Sequence, residues 1–416
     1  MAMQVQPTLE MSLWKNASFV RLWLAKTFSA IGSHVTGAAI PLTAAITLHA
    51  TPVQMAALVF ANQLPDLLFG LLAGVWVDRV RRRQLLMSAD IGRALLLALI
   101  PIAAFTGWLS LNLLWIVAFG CATLSLVFTL ASVAVLPSIV REDQLVDANS
   151  KLHMTDAALA LAGPGLAGFL IQLFTAPKAI LADVGSFLVS AWTLGGVGKT
   201  DQVAAQTHGK TGFEAIREEI REGLHELIRT PLLRALAISM GVIVVGGAVS
   251  ATVSILYLTR TLGFSPVTIG ILAAFNGIGA LVGAAVAGRI AMRLTLGHAI
   301  VVAGFIGAFA TFMVPFASKS SSPEAVIAIT GVLSGFAYSV LSINQISLRQ
   351  RITPLHLLGR VTAARRFLIF SMAPAGAVLG GWLGTVAGLE TTLVVAAVIT
   401  LIGAFVQFAS PIRSER

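Results

Sequence analysis

The sequence predicts an all-α membrane protein of twelve transmembrane helices in two six-helix bundles. Three observations carry that expectation. The 416-residue chain is 57% hydrophobic and only 11% charged, roughly half the charged fraction of a soluble globular domain. It divides into apolar runs of about 20 residues or more, the length that crosses a hydrocarbon core. Its positive charge gathers in every second loop.

The apolar runs fall near 22–48, 53–77, 85–106, 112–136, 152–174, 178–197, 232–259, 266–288, 298–316, 324–348, 362–387 and 391–410. Lys178, Arg260 and Lys319 lie in odd-numbered loops, and Lys26 and Arg93 lie within spans. The other basic residues gather at the termini, in even-numbered loops and at the span ends beside them. Positive charge is retained on the cytoplasmic side, so both termini and the even loops are expected there, in a cell (inner) membrane. Lys15 and Arg21 precede an apolar run too long for a cleavable signal core, so the first span is expected to remain.

The net charge of +10 does not point to nucleic acid, because the arginines sit at span ends and form no soluble basic face. One cysteine, Cys121, excludes a disulfide within the chain. No metal-ligand cluster, nucleotide loop or Ser–His–Asp set is found, so neither an enzyme nor a cofactor is expected.

The only long charged stretch, 198–231, divides the chain into 1–197 and 232–416. Within it Phe213, Ile216, Ile220, Leu224, Leu227 and Ile228 recur at helical spacing, which predicts an amphipathic linker helix on the inner membrane surface. The two halves repeat. Gly70 and Gly74 return as Gly279 and Gly283, Arg141 and Leu145 as Arg351 and Leu355, and Pro164 as Pro374. Repeated halves place a substrate site at their interface near the bilayer midplane.

The junction of the second and third spans reads Gly70-Leu-Leu-Ala-Gly74-Val-Trp-Val-Asp78-Arg79-Val-Arg81-Arg82-Arg83. It resembles the signature loop of the major facilitator superfamily, matching at Gly74, Asp78, Arg79, Arg82 and Arg83, with Arg81 where the family has glycine. Gly70 and Gly74 would admit a neighbouring helix closely. The resemblance implies that Asp78 and the arginines make and break a cytoplasmic gate. Gly163-Pro164-Gly165-Leu-Ala-Gly168 in span five resembles, in part, the glycine–proline motif of the superfamily's antiporters. Proline there kinks the helix and the glycines permit close packing.

Asn16-Ala-Ser-Phe19-Val-Arg21-Leu-Trp23, the Leu136-Pro137 to Asn149 loop and Asp183-Val-Gly-Ser-Phe187-Leu-Val-Ser190 extend the likeness. The chain resembles the drug–proton antiporter group that contains macrolide efflux and enterobactin export proteins. One departure stands out: many members carry an acid after the glycine of span one, where this chain has Ser33 after Gly32.

In that superfamily spans one, four, seven and ten line a central cavity. Turning each helix by 100° per residue puts hydroxyl and amide groups on one stripe of each span. The stripes contain Ser33 and Thr36, Ser125 and Thr129, Ser250, Ser254 and Tyr257, and Ser334, Tyr338, Ser342 and Gln345. A cavity so lined suits an amphipathic ligand better than a sugar or a phosphate ester.

Asp66 stands within span two, about 18 Å along the helix from Asp78. An intramembrane acid is costly to insert and is a functional candidate by default. Asp66 is therefore the expected proton-coupling acid, with Asn62 one turn away as its hydrogen-bond partner and Pro65 loosening the helix. Asp183 is expected to be structural, and Asp90 to pair with Arg93. The expected activity is export of a small amphipathic compound (a drug, an antibiotic or a siderophore) by proton antiport and alternating access, in a chain that works as a monomer. A lipid or lysolipid flippase, or a uniporter, is the alternative on the same fold.

Overall fold

The computed structural model describes residues 13–70, 80–141, 144–197, 213–354 and 357–415. All regular structure among them is helical. The first six long helices are α1 (Ala17–Leu42), α2 (Pro52–Phe69), α3 (Arg82–Thr106), α4 (Leu111–Ile139), α5 (Leu145–Phe174) and α6 (Ala176–Gly195). Then come the linker helix α7 (Phe213–Arg229) and α8 (Pro231–Leu256). Finally come α9 (Pro266–Leu294), α10 (Leu296–Met313), α11 (Pro323–Ile352), α12 (Leu358–Val386) and α13 (Leu389–Ala409).

Ten of these helices are long and apolar enough to cross a membrane. The two long helices outside that set, α2 and α6, stand where the second and sixth apolar runs were expected. Their polar residues lower their hydropathy: Gln54, Asn62, Gln63 and Asp66 on α2, Lys178 and Asp183 on α6. Large side chains on the outer surface are bare, as a lipid-facing surface requires; Trp192 is 80% exposed.

Local chemistry sets the helix starts. Asn16 accepts from the amides of Ser18 and Phe19 at the start of α1. Thr51 and Gln54 form a reciprocal capping box ahead of Pro52. Ser265 caps α9 ahead of Pro266 in the same way at its hydroxyl. The halves repeat here in backbone as well as in sequence. Helices α1 and α8 both end in a π-helical turn, Thr43–Thr47 and Tyr257–Thr261. His49 and Gly263 follow with left-handed φ of 51° and 68°, each two residues before a capping hydroxyl and a proline.

Within the first half, α1 packs on α5 and α6, α3 on α6 and α4, and α2 on α4. Within the second, α9 packs on α11, α8 on α12 and α13, and α10 on α11 and α13. Two seams join the halves: α5 against α9 and α2 against α12. Small residues make the first seam possible. A Cβ on Gly168 would stand 2.5 Å from the Pro266 carbonyl, and one on Gly277 2.9 Å from the Leu161 Cα. In the second seam a Cβ on Gly381 would stand 2.5 Å from that of Ala56.

The connections put the starts of α1, α3 and α5 and the end of α13 on one side, the terminus face. On the opposite face a buried apolar cluster runs from Val35 through Ala50 into Leu256, Phe264, Ile269 and Leu272, so it crosses between halves. Toward the terminus face each buried cluster belongs to a single half.

Helix α7 differs from the expected surface helix. It docks on α12 and α8, burying Gly223 and Leu227 against Val361 and Leu233, while Ile228 stays exposed. Glu222 pairs with Arg360 of α12. Gly223 permits the contact, because a Cβ there would overlap the Arg360 carbonyl.

Candidate functional site

Two cavities meet between the halves. The first, about 570 Å³, is walled by α1, α2, α3, α4 and α6, with Ala251 and Arg366 from the second half. The second, about 550 Å³, is walled by α8, α9, α10, α11, α12 and α13. Gln63 and Ala251 line both, so they read as lobes of one space. The lobes differ in chemistry. The first holds Asp66, Arg93, Asp183 and Arg366; the second is walled chiefly by Met240, Ile243, Val244, Ala337 and Leu341. The Oε1 of Gln63, a residue at the junction, is buried without a hydrogen-bond partner. A third space of about 450 Å³ shares Ser33, Arg93, Ser125 and Thr129 with the first lobe and extends it to Lys26.

The structure places Ser33, Thr36, Asn62, Ser125 and Thr129 on the first lobe, and Ser334 and Tyr338 on the second, where Tyr338 is 63% exposed. The α8 stripe is a correction. Ser250 and Ser254 line neither lobe; the Ser254 hydroxyl donates to the Ser250 carbonyl at 2.6 Å. Tyr257 is fully buried, its hydroxyl donating to the carbonyls of Val314 and Pro315 at 3.2 and 3.3 Å. Small residues, Gly247 and Ala251, face the cavity from α8 instead. Ser342 and Gln345 on α11 are also off the cavity. Gln345 is 2% exposed and accepts from Arg365 at 3.1 Å. The wheel gives the angle between side chains on one helix, but neighbouring helices decide which angle faces the centre.

Asp66 lies in the last turn of α2 and lines the first lobe, but it does not stand alone. Arg366 of α12 donates to it at 3.3 Å, across the second seam. This replaces the expected Asn62 partner. At Gly70, expected to admit a second helix, the nearest atoms to an added Cβ among the described residues are those of Asp66 in its own turn. Its repeat counterparts Gly279 and Gly283 do make a close approach, to Val332 and Phe336 of α11.

Of the loop motif, Gly74, Asp78 and Arg79 lie outside the described residues. Arg83 donates to the carbonyls of Leu194, at 3.1 Å, and Gly195, and Arg21 donates to Gly196. These arginines hold the C-terminus of α6, where a cation meets the negative end of the helix dipole. In this conformation Arg83 thus binds within its own half instead of across the interface. Arg82 begins α3. The glycine–proline motif of α5 lies at two contacts: Gly163 meets His34 of α1, while Pro164 and Gly168 meet Gly270 of α9.

Asp183, expected to be structural, stands at the cavity. Its carboxylate is wholly buried on the wall of the first lobe, against Gly32 of α1. A Cβ at Gly32 would stand 2.8 Å from the Asp183 Cγ. Arg93, 3% exposed, pairs with Asp90, donates to Ser125 at 3.3 Å and Ser29 at 3.4 Å, and lies between the rings of Phe128 and Phe187. Gly32 was the available signal, since without a Cβ it leaves a space that another helix can fill.

At the opposite face Arg260, ending the α8 π-turn, donates to the carbonyls of Ala45 at 3.3 Å and Ala50 at 2.8 Å. It thereby fastens α8 to the α1–α2 connection. A multi-pass helical chain with repeated halves and a central two-lobed cavity is the architecture of a membrane transporter. The sequence profile of the Major Facilitator Superfamily matches residues 22–376 and, in a second match, 237–415; the chain belongs to that family and is a multi-pass membrane transporter. It is 27% identical over 406 residues to the uncharacterized MFS-type transporter YfiS of Bacillus subtilis (strain 168), covering 95% of each chain. It is 28% identical over 349 residues to the multidrug efflux pump Tap of Mycolicibacterium fortuitum, covering 80% of this chain and 81% of Tap. Among solved structures it superposes on a bacterial homologue of the iron transporter ferroportin in an inward-facing state, with TM-score 0.76 and 17% identity, covering 94% of this chain and 98% of that one.

Proposed function

We propose that this transporter exports a small amphipathic compound by alternating access, driven by proton antiport. The carrying observation is the two-lobed cavity. A lobe that holds charged side chains beside a lobe of similar size lined without them offers one wall to each side of an amphipath. The likeness to a multidrug efflux pump supports the same reading.

In this reading α2 and α6 complete a set of twelve spans, forming bundles from 1–197 and 232–416 joined by the 198–231 linker. The terminus face is cytoplasmic in the inner membrane, as its arginines favour. Arg260 and the crossing apolar cluster close the outer side, while the clusters toward the cytoplasm stay within each half, so the cavity faces inward. Asp78 and Arg79, with Gly70, Gly74, Arg82 and Arg83, form the inner gate that closes as the halves rock. Gly163, Pro164 and Gly168 form the pivot against α9. The acids on the cavity wall, Asp66 and Asp183, are the groups available to couple protons, and each chain carries its own pathway.

The test is transport by the purified protein in liposomes with an imposed pH gradient. The panel contains ethidium, a macrolide, a tetracycline, a ferric siderophore and a labelled lysolipid. Gradient-driven accumulation of an amphipath supports the reading. Movement of lysolipid alone, indifferent to the gradient, replaces it with a flippase.

A further inference from the structure

Among the described residues of the first half, the buried ionisable groups do not balance in charge. Arg93 supplies one positive charge; Asp90 and Asp183 supply two negative ones if both ionise. Asp90 takes the ion pair with Arg93 and a 2.6 Å hydrogen bond from Ser190. Asp183 has no cation within ion-pair distance among the described residues. Its Oδ1 accepts from the Ser186 hydroxyl at 2.9 Å, the Thr36 hydroxyl of α1 lies beside the carboxyl, and its buried Oδ2 completes no hydrogen bond of normal geometry. An ionised carboxylate in such a place costs several kcal/mol. The same carboxyl lines the first lobe, so water in the cavity can reach it when the lobe opens.

We propose that Asp183 is the proton-binding site of the transporter, with Arg93 and Asp90 fixing its charge state and Gly32 providing the space for it. This deepens the exporter reading, on which its transport arm rests. The proton passes from water to Asp183 Oδ2, making a neutral carboxyl, and returns to water when the cavity opens to the other side. Nothing else is consumed. The groups acting on Asp183 are the hydroxyls of Thr36 from α1 and Ser186 from its own helix and the charges of Arg93 and Asp90 from α3; Asp183 in turn acts on Cys121 of α4. From α1 it meets Gly32. The acid of α5 nearest this region, Asp156, acts on His34 instead. Asp66, by contrast, has a cationic partner in Arg366 and needs no proton to be neutralised.

Two measurements test this. The first is the infrared carbonyl band of a protonated carboxylic acid at pH 7, taken on the full chain in a maltoside detergent. The band is expected in the wild type and in Asp66→Asn and is lost in Asp183→Asn; Asp90→Asn is expected to weaken it, because Asp183 then becomes the counter-ion of Arg93. Its absence from the wild type, or its persistence in Asp183→Asn, overturns the assignment whether or not the chain exports an amphipath. The second measurement uses whichever panel compound the wild type accumulates. Asp183→Asn is expected to lose about tenfold or more of gradient-driven accumulation relative to its own counterflow exchange, a ratio that removes any effect on the cavity wall. Full gradient-driven accumulation by Asp183→Asn overturns the assignment and leaves the exporter reading standing.

Discussion

Arg366 donates to Asp66 at 3.3 Å across 300 residues of chain, and so ties α12 to α2 at the seam between the halves. Both side chains are partly exposed to the cavity. An ion pair of that kind is worth up to about 1 kcal/mol, which makes it a bias on a conformational equilibrium more than a support of the fold.

Removing the bias has a measurable consequence. Arg366→Gln is expected to shift the inward–outward ratio by about fivefold, the equivalent of about 1 kcal/mol. Spin labels on α2 and α12 read the ratio as distance populations. The exchanged pair, Asp66→Arg with Arg366→Asp, recovers most of the wild-type distribution if the pair acts by attraction. An unchanged distribution in Arg366→Gln removes the role.

Arg260 makes the stronger link. Two charge-assisted hydrogen bonds to the Ala45 and Ala50 carbonyls close the opposite face. Arg260→Ala is expected to cost the closed face about 2 kcal/mol, roughly a thirtyfold shift toward opening there. In a Cys121→Ser background, a cysteine at Asn62, which lines the first lobe, reports this. Its labelling by a membrane-impermeant maleimide from the opposite face rises in step.

The α5–α9 seam predicts a contrast between two glycines three residues apart. Gly168→Ala pushes a methyl group against the Pro266 carbonyl at 2.5 Å, whereas Gly165 has nothing within 4 Å. Gly168→Ala is expected to lower stability by about 1–3 kcal/mol, the usual range for overpacking. Gly165→Ala leaves it unchanged or slightly raised. Thermal unfolding in detergent compares the two directly.

Gly32 gives a matched pair on α1. Gly32→Ala collides with the Asp183 carboxyl and Ser186, while Gly37→Ala puts its methyl group into the first lobe with nothing within 4 Å. Gradient-driven transport is expected to fall about tenfold or more in the first, because displacing a group at the site acts like removing it. The second stays near wild type. Equal loss in both argues for a general effect on α1.

Much of the fold was legible because hydropathy and charge act locally. An apolar run of sufficient length must satisfy its backbone internally, so it forms a helix wherever it lies. The amphipathic linker was legible as a helix, but not as one docked on α12, because Gly223 and Leu227 matter only once α12 stands beside them. On α4, Ser125 and Thr129 lie where the stripe put them. On α8 the same rule turned the wrong residues inward, because packing against α12 and α13 turns Gly247 and Ala251 to the cavity and carries the Tyr257 hydroxyl to the backbone near Val314. The serine–tyrosine stripe carried no sign of those partners.

The sequence by itself determined the family, the apolar helices, the side expected to face the cytoplasm and the duplication of the halves. Each of these follows from composition, spacing or a short motif within one stretch of chain. Only the tertiary structure decided that Asp66 has a counter-ion, that Asp183 fills the space left at Gly32, and that Arg83 clasps α6. The physical reason is distance along the chain. Whether a buried charge is paired or alone depends on a helix tens or hundreds of residues away, and no local pattern encodes which face that helix will present.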